Sequence, residues 1–279
     1  MASAQAEWKA DFFGTVNQMP PEPVGLLIHV LEVMASEPTF HRARRELLQD
    51  LGVSAGGRIL DGGCGTGVAL PDILEVCGRS VQVYGVDPTD AFLDVARKRA
   101  RDLGVVGAEY RNGDVRALPY PDHHMDGAFC EKVLLHVGPP EAVLRELVRV
   151  TRPGGRVGAI DWQPHFVLSC TRPDLEAKFN GLFRQALYDY RAAPNLARYF
   201  AQAGLQQVRT RTYLAHTDRL GDPPFWRAFL VEQLPLFVGA GLLQPEEAEA
   251  LAADFHALDA RGWFRASFVV YTAVGTKPA

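Results

Sequence analysis

The feature that most constrains this chain is a glycine-rich turn that directly follows an apolar strand. Residues Asp61 to Gly67 read DGGCGTG and come after the apolar pair Ile59 and Leu60. Glycines at such a place permit a tight turn with positive φ angles and let a ligand approach the backbone closely. The turn alone is compatible with a cofactor-binding loop or with a structural turn between a strand and a helix. The residues around it are needed to distinguish these two alternatives.

From residue 57 onward, short apolar runs alternate with amphipathic segments, which is typical of a parallel sheet covered by helices. The predicted strands are 58–62, 81–86, 107–111, 125–130 and 156–161. The predicted helices between them are about 68–77, 89–103 and 139–150. This order predicts a doubly wound α/β fold.

The flanking segments predict a helical cap around this core. Residues 1–55 are expected to form an N-terminal helical cap segment, 56–162 a cofactor-binding core, and 163–279 the completion of the sheet. The last part carries two further predicted strands, Gln206–Leu214 and 263–274, and predicted helices at 174–190, 194–203 and 223–258. Helical insertions are therefore expected at about 163–204 and 217–262. No internal repeat or flexible linker indicates a second independent domain.

Composition excludes several classes of function. The chain has 279 residues, 47% of them hydrophobic and 22% charged, and its net charge of -4 offers no basic surface for nucleic acid. Its four cysteines form no C-x-x-C pair, so we expect neither a zinc site nor a redox motif. The first residues lack the pattern of a signal peptide, and no segment is apolar enough to span a bilayer. A cytoplasmic protein without a membrane span is expected.

The glycine spacing separates two kinds of cofactor loop. A dinucleotide fingerprint, G-x-G-x-x-G, needs a third glycine where Val68 stands, whereas Gly63, Gly65 and Gly67 give G-x-G-x-G. A nicotinamide oxidoreductase is therefore disfavoured.

Acidic residues follow the next two predicted strands. Asp87 ends the second strand, where a carboxylate can accept hydrogen bonds from ribose hydroxyls, although it can also cap helix 89–103. Asp114 lies in the N-G-D-V run after the third strand. Residues 125–129 (MDGAF) and 147–157 (LVRVTRPGGRV) complete the ordered set of motifs.

In this order and spacing, the motifs resemble those of class I S-adenosylmethionine-dependent methyltransferases. The resemblance covers roughly residues 45–165 and is strongest to ubiquinone-biosynthesis-like small-molecule methyltransferases, including natural-product O-methyltransferases. It implies a Rossmann-like fold, with a mostly parallel seven-stranded sheet under a helical cap, and S-adenosyl-L-methionine as the cofactor.

The resemblance also implies roles for individual residues. The loop carrying Gly63, Gly65 and Gly67 would face the methionine portion of the cofactor, with Asp61 complementing its ammonium group. Asp87 would hold the ribose. Asp114 would accept a hydrogen bond from the adenine amine, while the backbone N–H of Val115 would meet a ring nitrogen.

The sequence departs from the family pattern in two places. Gly62 stands where that group often has isoleucine, valine or leucine, and we expect this change to be harmless. Glu131 and Lys132 follow the fourth strand, where small or amide residues are commoner. Glu131 is included among the predicted cofactor-binding residues, and the surroundings of the sulfonium are expected to be unusual.

His136 and Asp161 are the predicted catalytic residues, because the family places its reacting methyl group near the ends of the fourth and fifth strands. A histidine can remove a hydroxyl proton as the oxygen attacks the methyl group. The alternative is that His136 packs against or caps the helix beginning near Pro139. No metal is expected, because Asp161 is the only acid in 161–163.

The predicted reaction is methyl transfer to a small molecule, most simply O-methylation of a hydroxyl on a secondary metabolite or natural product. N- or C-methylation, or a cyclase that binds the cofactor without methyl transfer, remain alternatives. An apolar or aromatic acceptor is expected, because aromatic residues are frequent in the cap, where they line a pocket or fill the core. These residues are Phe225, Trp226, Phe229 and Phe237, with Phe12 and Phe13. The chain is expected to be a monomer or a homodimer.

Overall fold

The computed structural model describes residues 15–279, and its centre is a seven-stranded sheet with the strand order β3-β2-β1-β4-β5-β7-β6. The strands are β1 Arg58–Gly62, β2 Gln82–Asp87, β3 Ala108–Asn112, β4 Met125–Glu131, β5 Thr151–Leu168, β6 Gln206–Thr217 and β7 Ala266–Thr276. Strands β1 to β5 pair in parallel, and β7 runs antiparallel to both β5 and β6. The predicted fold class, a doubly wound and mostly parallel sheet, is confirmed.

Helices cover the sheet and extend beyond it. They are α1 Pro21–Met34, α2 Pro38–Leu51, α3 Leu70–Cys77, α4 Asp90–Asp102, α5 Pro140–Val150, α6 Pro173–Ala186, α7 Leu196–Gln202, α8 Phe225–Arg227, α9 Leu234–Gly239 and α10 Pro245–Ala260. Short 3₁₀ turns lie at Val16–Gln18 and Ala193–Asn195, and a π-helical turn at Ala228–Glu232. None of the helices in residues 15–279 is long and apolar enough to cross a membrane.

The local sequence explains why these elements form. In α5, proline occupies the first helical position, where its missing N–H costs nothing. The helix buries Val143, Leu144, Leu147 and Val150, whose spacing places them on one face. In the central strand β1, Ile59 and Leu60 are fully buried, as expected of a strand covered on both faces.

Two predicted elements differ from those observed. Strand β5 extends beyond the predicted 156–161 at both ends and runs across the predicted boundary at residue 162. The single helix predicted for 223–258 is divided into α8, the π-helical turn, α9 and α10. The last break is at Gly241, which has a φ of 68°, and α10 then starts with a capping box between Gln244 and Glu247.

The topology places a crevice above β1. Strand β1 has β2 on one side and β4 on the other. Strands β2 and β3 extend the sheet in one direction from β1, and β4 and β5 extend it in the other, so the strand order reverses at β1. In open α/β sheets, ligands bind outside the carboxyl ends of the strands at this switch point. Helix α1 and the segment 225–239 lie over this edge and are joined by a hydrogen bond of 3.2 Å between His29 and Glu232.

Candidate active site

A cavity of about 920 Å³ opens at the carboxyl edge of the sheet. This volume is near the top of the range for small-molecule sites, which is about 300–1,000 Å³. The loop after β1, the ends of β2 and β4, helix α1 and the segment 229–242 all contribute to its walls. The cavity is therefore large enough to be shared by a cofactor and an acceptor.

The glycine-rich loop forms one wall and depends on its glycines. Gly63, Gly65 and Gly67 have φ angles of 75°, 52° and 72°, which side chains rarely adopt. A Cβ at Gly63 would lie 2.4 Å from a methyl of Val133, whereas a Cβ at Gly65 would meet only Leu31, at 3.9 Å. Gly65 therefore leaves open space that a bound molecule can fill.

Asp87 at the end of β2 connects this loop to helix α4. One of its carboxylate oxygens accepts from the N–H of Gly65 and the other from the N–H of Thr89, both at 2.9 Å. Burial raises the pKa of Asp87 to about 6, although these N–H bonds oppose the rise. Asp87 thus shapes the loop and holds Thr89, the residue before helix α4, and it lines the cavity.

Asp61 at the start of the loop lies in a strongly acidic setting. Burial, followed by the nearby charge of Glu131, raises the pKa of Asp61 to about 8. A buried carboxyl among other acids is stabilised in its charged form by a cation. The amino group and sulfonium of S-adenosylmethionine are such cations, so the chemistry of this end of the cavity fits that cofactor.

Asp114 and Val115, after β3, line the same cavity. Both carboxylate oxygens of Asp114 accept from the Arg116 guanidinium, the shortest of these bonds being 2.6 Å.

The unusual Gly62 is explained by Val115, because a Cβ at Gly62 would lie only 3.1 Å from a Val115 methyl and 3.2 Å from Leu147.

Glu131 lines the cavity but is tied to the second helix. It accepts two hydrogen bonds from Arg44, at 2.6 and 2.9 Å, and lies 2.9 Å from the Lys132 ammonium. Burial alone would raise the pKa of Glu131, but Arg44 and Lys132 outweigh it and lower the pKa to about 2. Glu131 is therefore ionised and already paired with two cations.

His136 also lines the cavity, beyond the end of β4. Burial and the positive charge of Lys132 lower the pKa of His136 to about 3. The imidazole is consequently neutral at physiological pH, and it is a weak proton acceptor.

Asp161 does not reach the cavity wall. It is fully buried, and one of its carboxyl oxygens accepts from the N–H of Leu135 at 3.2 Å. Burial raises the pKa of Asp161 well above its usual range, which favours the neutral form, although backbone N–H bonds and the charge of Lys132 oppose the rise. Its position supports the backbone just before His136 and does not bring it to an acceptor.

The aromatic residues of the cap divide into two groups. Phe229 and Phe237 line the cavity, whereas Phe225 and Trp226 are fully buried and absent from its walls. Trp226 packs against Phe225, with ring centroids 5.2 Å apart. Of the two alternatives left open by the sequence, Trp226 therefore fills the core and Phe229 lines the cavity. Phe12 and Phe13 lie outside the described residues.

Several lining residues were not identified from the sequence. Trp162 and Phe183 contribute aromatic walls, while Gln233 and Arg116 contribute polar groups. Trp162 follows Asp161 on β5, and alternation along a strand was the available signal that the two point to different faces. The spacing of α2 was an available signal for Arg44, because it lies on the apolar face with Phe40, Leu47 and Leu48, unlike Arg42 and Arg45.

In residues 15–279, no group of three or more histidine, cysteine or acidic residues is arranged to hold a metal ion. The fold and the cavity together define a Rossmann-like core with a ligand-sized cavity at the carboxyl edge of its sheet.

Comparison with known proteins agrees with this class. Residues 60–159 match the family described as Methyltransferase domain, Methyltransf_11. The chain is 28% identical over 185 residues to the ubiquinone/menaquinone biosynthesis C-methyltransferase UbiE of Shewanella woodyi, a match that covers 65% of this chain and 67% of that protein. Residues 60–159 thus match a methyltransferase domain, and the chain is similar in sequence to a ubiquinone/menaquinone biosynthesis C-methyltransferase.

Another relative is an uncharacterized 37.1 kDa protein in transposon TN4556 of Streptomyces fradiae, 34% identical over 151 residues. That match covers 53% of this chain and 42% of the relative, so the chain spans less than half of its length.

Solved structures share the fold. A putative methyltransferase from Bacillus halodurans superposes with a TM-score of 0.60 at 16% identity, covering 85% of this chain and 99% of that one. The [4+2]-cyclase SpnF superposes with a TM-score of 0.54 at 19% identity, covering 86% and 82%.

Proposed function

We propose that this protein binds S-adenosyl-L-methionine and transfers its methyl group to a hydroxyl of a small, largely apolar or aromatic acceptor, such as a secondary metabolite. The observation that carries the proposal is a single cavity with two chemically different ends. One end has the glycine-rich loop and four acidic residues, and the other is lined by aromatic rings. The acidic residues are Asp61, Asp87, Asp114 and Glu131.

The acidic end suits each part of the cofactor. Asp61 would complement the ammonium group, and Asp87 would accept from the ribose hydroxyls while keeping its bonds to Gly65 and Thr89. Asp114 would accept from the adenine amine, beside the N–H of Val115. When bound, S-adenosylmethionine supplies an electrophilic methyl group on a sulfonium.

The protein's own contribution to the reaction is mainly positioning. Trp162, Phe183 and Phe229 form a face against which a flat acceptor can pack, and the rings of Phe183 and Phe229 are stacked 5.6 Å apart. Holding two reactants in line contributes several kcal/mol to the barrier reduction, up to about 7–11 in favourable cases. Phe229 and Phe237 of the segment 225–239 form part of the wall at this end.

His136 is proposed to accept the hydroxyl proton or to orient the hydroxyl. Its neutral imidazole leaves a ring nitrogen able to accept. Asp161 is proposed to act as a positioning residue, because its bond to the N–H of Leu135 supports the turn that presents His136.

C-methylation is the second candidate, because UbiE of Shewanella woodyi is a C-methyltransferase and aligns with most of this chain. A weakly basic His136 also favours it, since carbon acceptors need no strong base if they are already activated. N-methylation and cyclisation without methyl transfer are further alternatives, which product analysis separates.

The test combines binding and product analysis. Calorimetry should detect binding of both S-adenosylmethionine and S-adenosylhomocysteine. The enzyme is then incubated with cofactor bearing a trideuterated methyl group and a panel of phenols, hydroquinones, amines and polyketide-like enols. Mass spectrometry should find equal amounts of S-adenosylhomocysteine and labelled product, and carbon NMR assigns the label to oxygen, nitrogen or carbon.

Absence of cofactor binding overturns the proposal. A rearranged, unlabelled product formed without S-adenosylhomocysteine identifies a cyclase instead.

A further inference from the structure

Lys132 occupies an unusual backbone conformation at the boundary between the two ends of the cavity. Its φ is 57°, in the left-handed region that few non-glycine residues adopt. The conformation is fixed by a hydrogen bond of 2.7 Å from the Lys132 N–H to the carbonyl of Ile160. Such strained conformations are concentrated at functional sites.

The Lys132 side chain is held in a defined position beside the cavity that it lines. Its ammonium lies 4.5 Å from the centre of the Phe40 ring and 2.9 Å from Glu131. Only 11% of the side chain is exposed. The charge therefore belongs to a residue of the cavity wall and is shielded from bulk solvent.

Glu131 does not occupy all the N–H donors of the Lys132 ammonium. Both oxygens of Glu131 already accept from Arg44. A lysine ammonium has three N–H donors, and within residues 15–279 Glu131 is the one hydrogen-bond acceptor of this group. Two N–H donors remain for a molecule in the cavity.

The neighbourhood makes those donors selective for an anion. Leu135, Trp162 and Phe229 are apolar walls of the same cavity. In such surroundings a charge-assisted hydrogen bond is about twice as strong as a neutral one. An ionised oxygen next to Lys132 is thus favoured over a neutral hydroxyl.

We propose that Lys132 is the acceptor-binding cation of this site, and that the acceptor is a small phenol or enol whose acidic hydroxyl is bound as its oxyanion. The inference rests on the proposed function and specifies its substrate class. It also explains how methyl transfer can proceed although His136, with a pKa lowered to about 3, is a weak base. An acceptor that ionises readily does not need a strong base.

The reaction balances without a further reactant. The hydroxyl loses its proton to solvent as the acceptor binds beside Lys132, which stays protonated. An electron pair of the oxyanion forms the new bond to the methyl carbon, and the carbon–sulfur bond breaks with its pair remaining on sulfur. The oxyanion and the sulfonium are both neutralised, and the products are an ether and S-adenosylhomocysteine.

The first experiment uses the wild-type chain saturated with S-adenosylhomocysteine and the probe 4-nitro-1-naphthol, whose phenolate absorbs at longer wavelength than the phenol. Spectral titration from pH 5 to 9 gives the affinity for each form. We expect the phenolate to bind about 10-fold or more tightly than the phenol, as for a hydrogen bond to a charged group. The measured pH dependence also reflects the other charged and titratable groups near the Lys132 ammonium. These groups are Glu131, Arg44, Asp61, Asp161 and His136.

The second experiment separates Lys132 from those groups. Lys132→Met should abolish the preference for phenolate, Lys132→Arg should restore most of it, and binding of neutral 1-nitronaphthalene should stay within about 2-fold. Lys98→Met is the matched control, because Lys98 is an exposed residue of α4 paired with Asp102. The control should behave like wild type.

Three results overturn the inference: no phenolate preference in wild type, an unchanged preference in Lys132→Met, or an equal loss of phenolate and nitronaphthalene binding in that variant. Tighter binding of 1-naphthoate than of the naphtholate overturns the assignment to a hydroxyl. Because the wild-type titration needs no variant, poor folding of Lys132→Met does not prevent a decision. Failure of S-adenosylhomocysteine to bind instead rejects the proposed function.

Discussion

Arg44 donates hydrogen bonds to both carboxylate oxygens of Glu131, and so joins helix α2 to the end of strand β4 at the cavity. A further nitrogen of Arg44 donates to Asp72 of α3 at 2.5 Å. The Arg44 side chain is completely buried. The position of Glu131 in the site is consequently set by a helix that lies outside the matched methyltransferase domain.

Breaking this pair should destabilise the fold. Arg44→Met leaves Glu131 and Asp72 buried without their main cation, so unfolding in urea should show a loss of about 3–5 kcal/mol. Arg42→Met, which removes an exposed partner of Glu46, should cost about 1 kcal/mol or less. Equal losses in the two variants would contradict a structural role for the buried pair.

Cofactor binding should release protons at neutral pH. Asp61, with a pKa raised from 3.8 to about 8, holds a proton in the free protein that a bound cation displaces. Calorimetry at pH 7 in two buffers of different ionisation enthalpy should give up to about one proton released per S-adenosylmethionine. Asp61→Asn should remove that release, and proton uptake by the wild type would contradict the prediction.

The same shift affects stability. In the folded free protein Asp61 is protonated at pH values where the unfolded chain has released its proton. Its contribution is therefore fully present below about pH 4 and is lost as the pH rises through about 8. Relative to wild type, Asp61→Asn should become more stable as the pH rises across this interval, as thermal unfolding at several pH values will measure.

Asp87→Ala should weaken S-adenosylmethionine and S-adenosylhomocysteine alike. Losing a carboxylate that accepts two hydroxyls should cost about 2–3 kcal/mol of binding free energy. Asp94→Ala, on the exposed side of α4, is the control and should bind normally. Wild-type affinity in a correctly folded Asp87→Ala protein would rule out the ribose contact.

With an acceptor whose hydroxyl is not ionised at the assay pH, His136→Ala should lower turnover about 10²- to 10⁴-fold, because the imidazole then accepts the proton. With an acceptor bound as its oxyanion the loss should be much smaller. Calorimetry should find cofactor affinity unchanged, because the proposed role concerns the acceptor alone. If the variant keeps most of its activity across the pH range, His136 serves packing, and proximity with Lys132 suffices.

Comparing Phe229→Ala with Trp226→Ala should distinguish a ring that lines the cavity from a ring that fills the core. Phe229→Ala should raise the acceptor KM far more than that of S-adenosylmethionine, because Phe229 lines the aromatic end. Trp226→Ala should instead lose about 3–5 kcal/mol of stability, as for a large buried ring. A selective rise in acceptor KM in the Trp226 variant would reverse this assignment.

The sequence alone determined the order of the sheet elements and most of the glycine and acidic residues that line one part of the cavity. The alternation of elements, the three glycines from Gly63 to Gly67, and acids at the ends of β1 to β3 are local signals. Parallel strands bring their carboxyl ends to one edge of the sheet, so residues far apart in sequence are placed together without knowledge of packing.

Only the tertiary structure decided the acceptor end and the charge balance around it. Phe225, Trp226 and Phe229 have the same local pattern, and which ring faces a cavity depends on how the segment 225–239 packs over β5 and β7. Likewise, Arg44 becomes a partner of Glu131, and Lys132 keeps free donors, only because α2 lies against the end of β4. These contacts join residues up to 87 positions apart in the sequence. The strength of a charge pair in a buried site depends on the distance between the charges and on how far solvent is excluded, and a linear sequence pattern contains neither quantity.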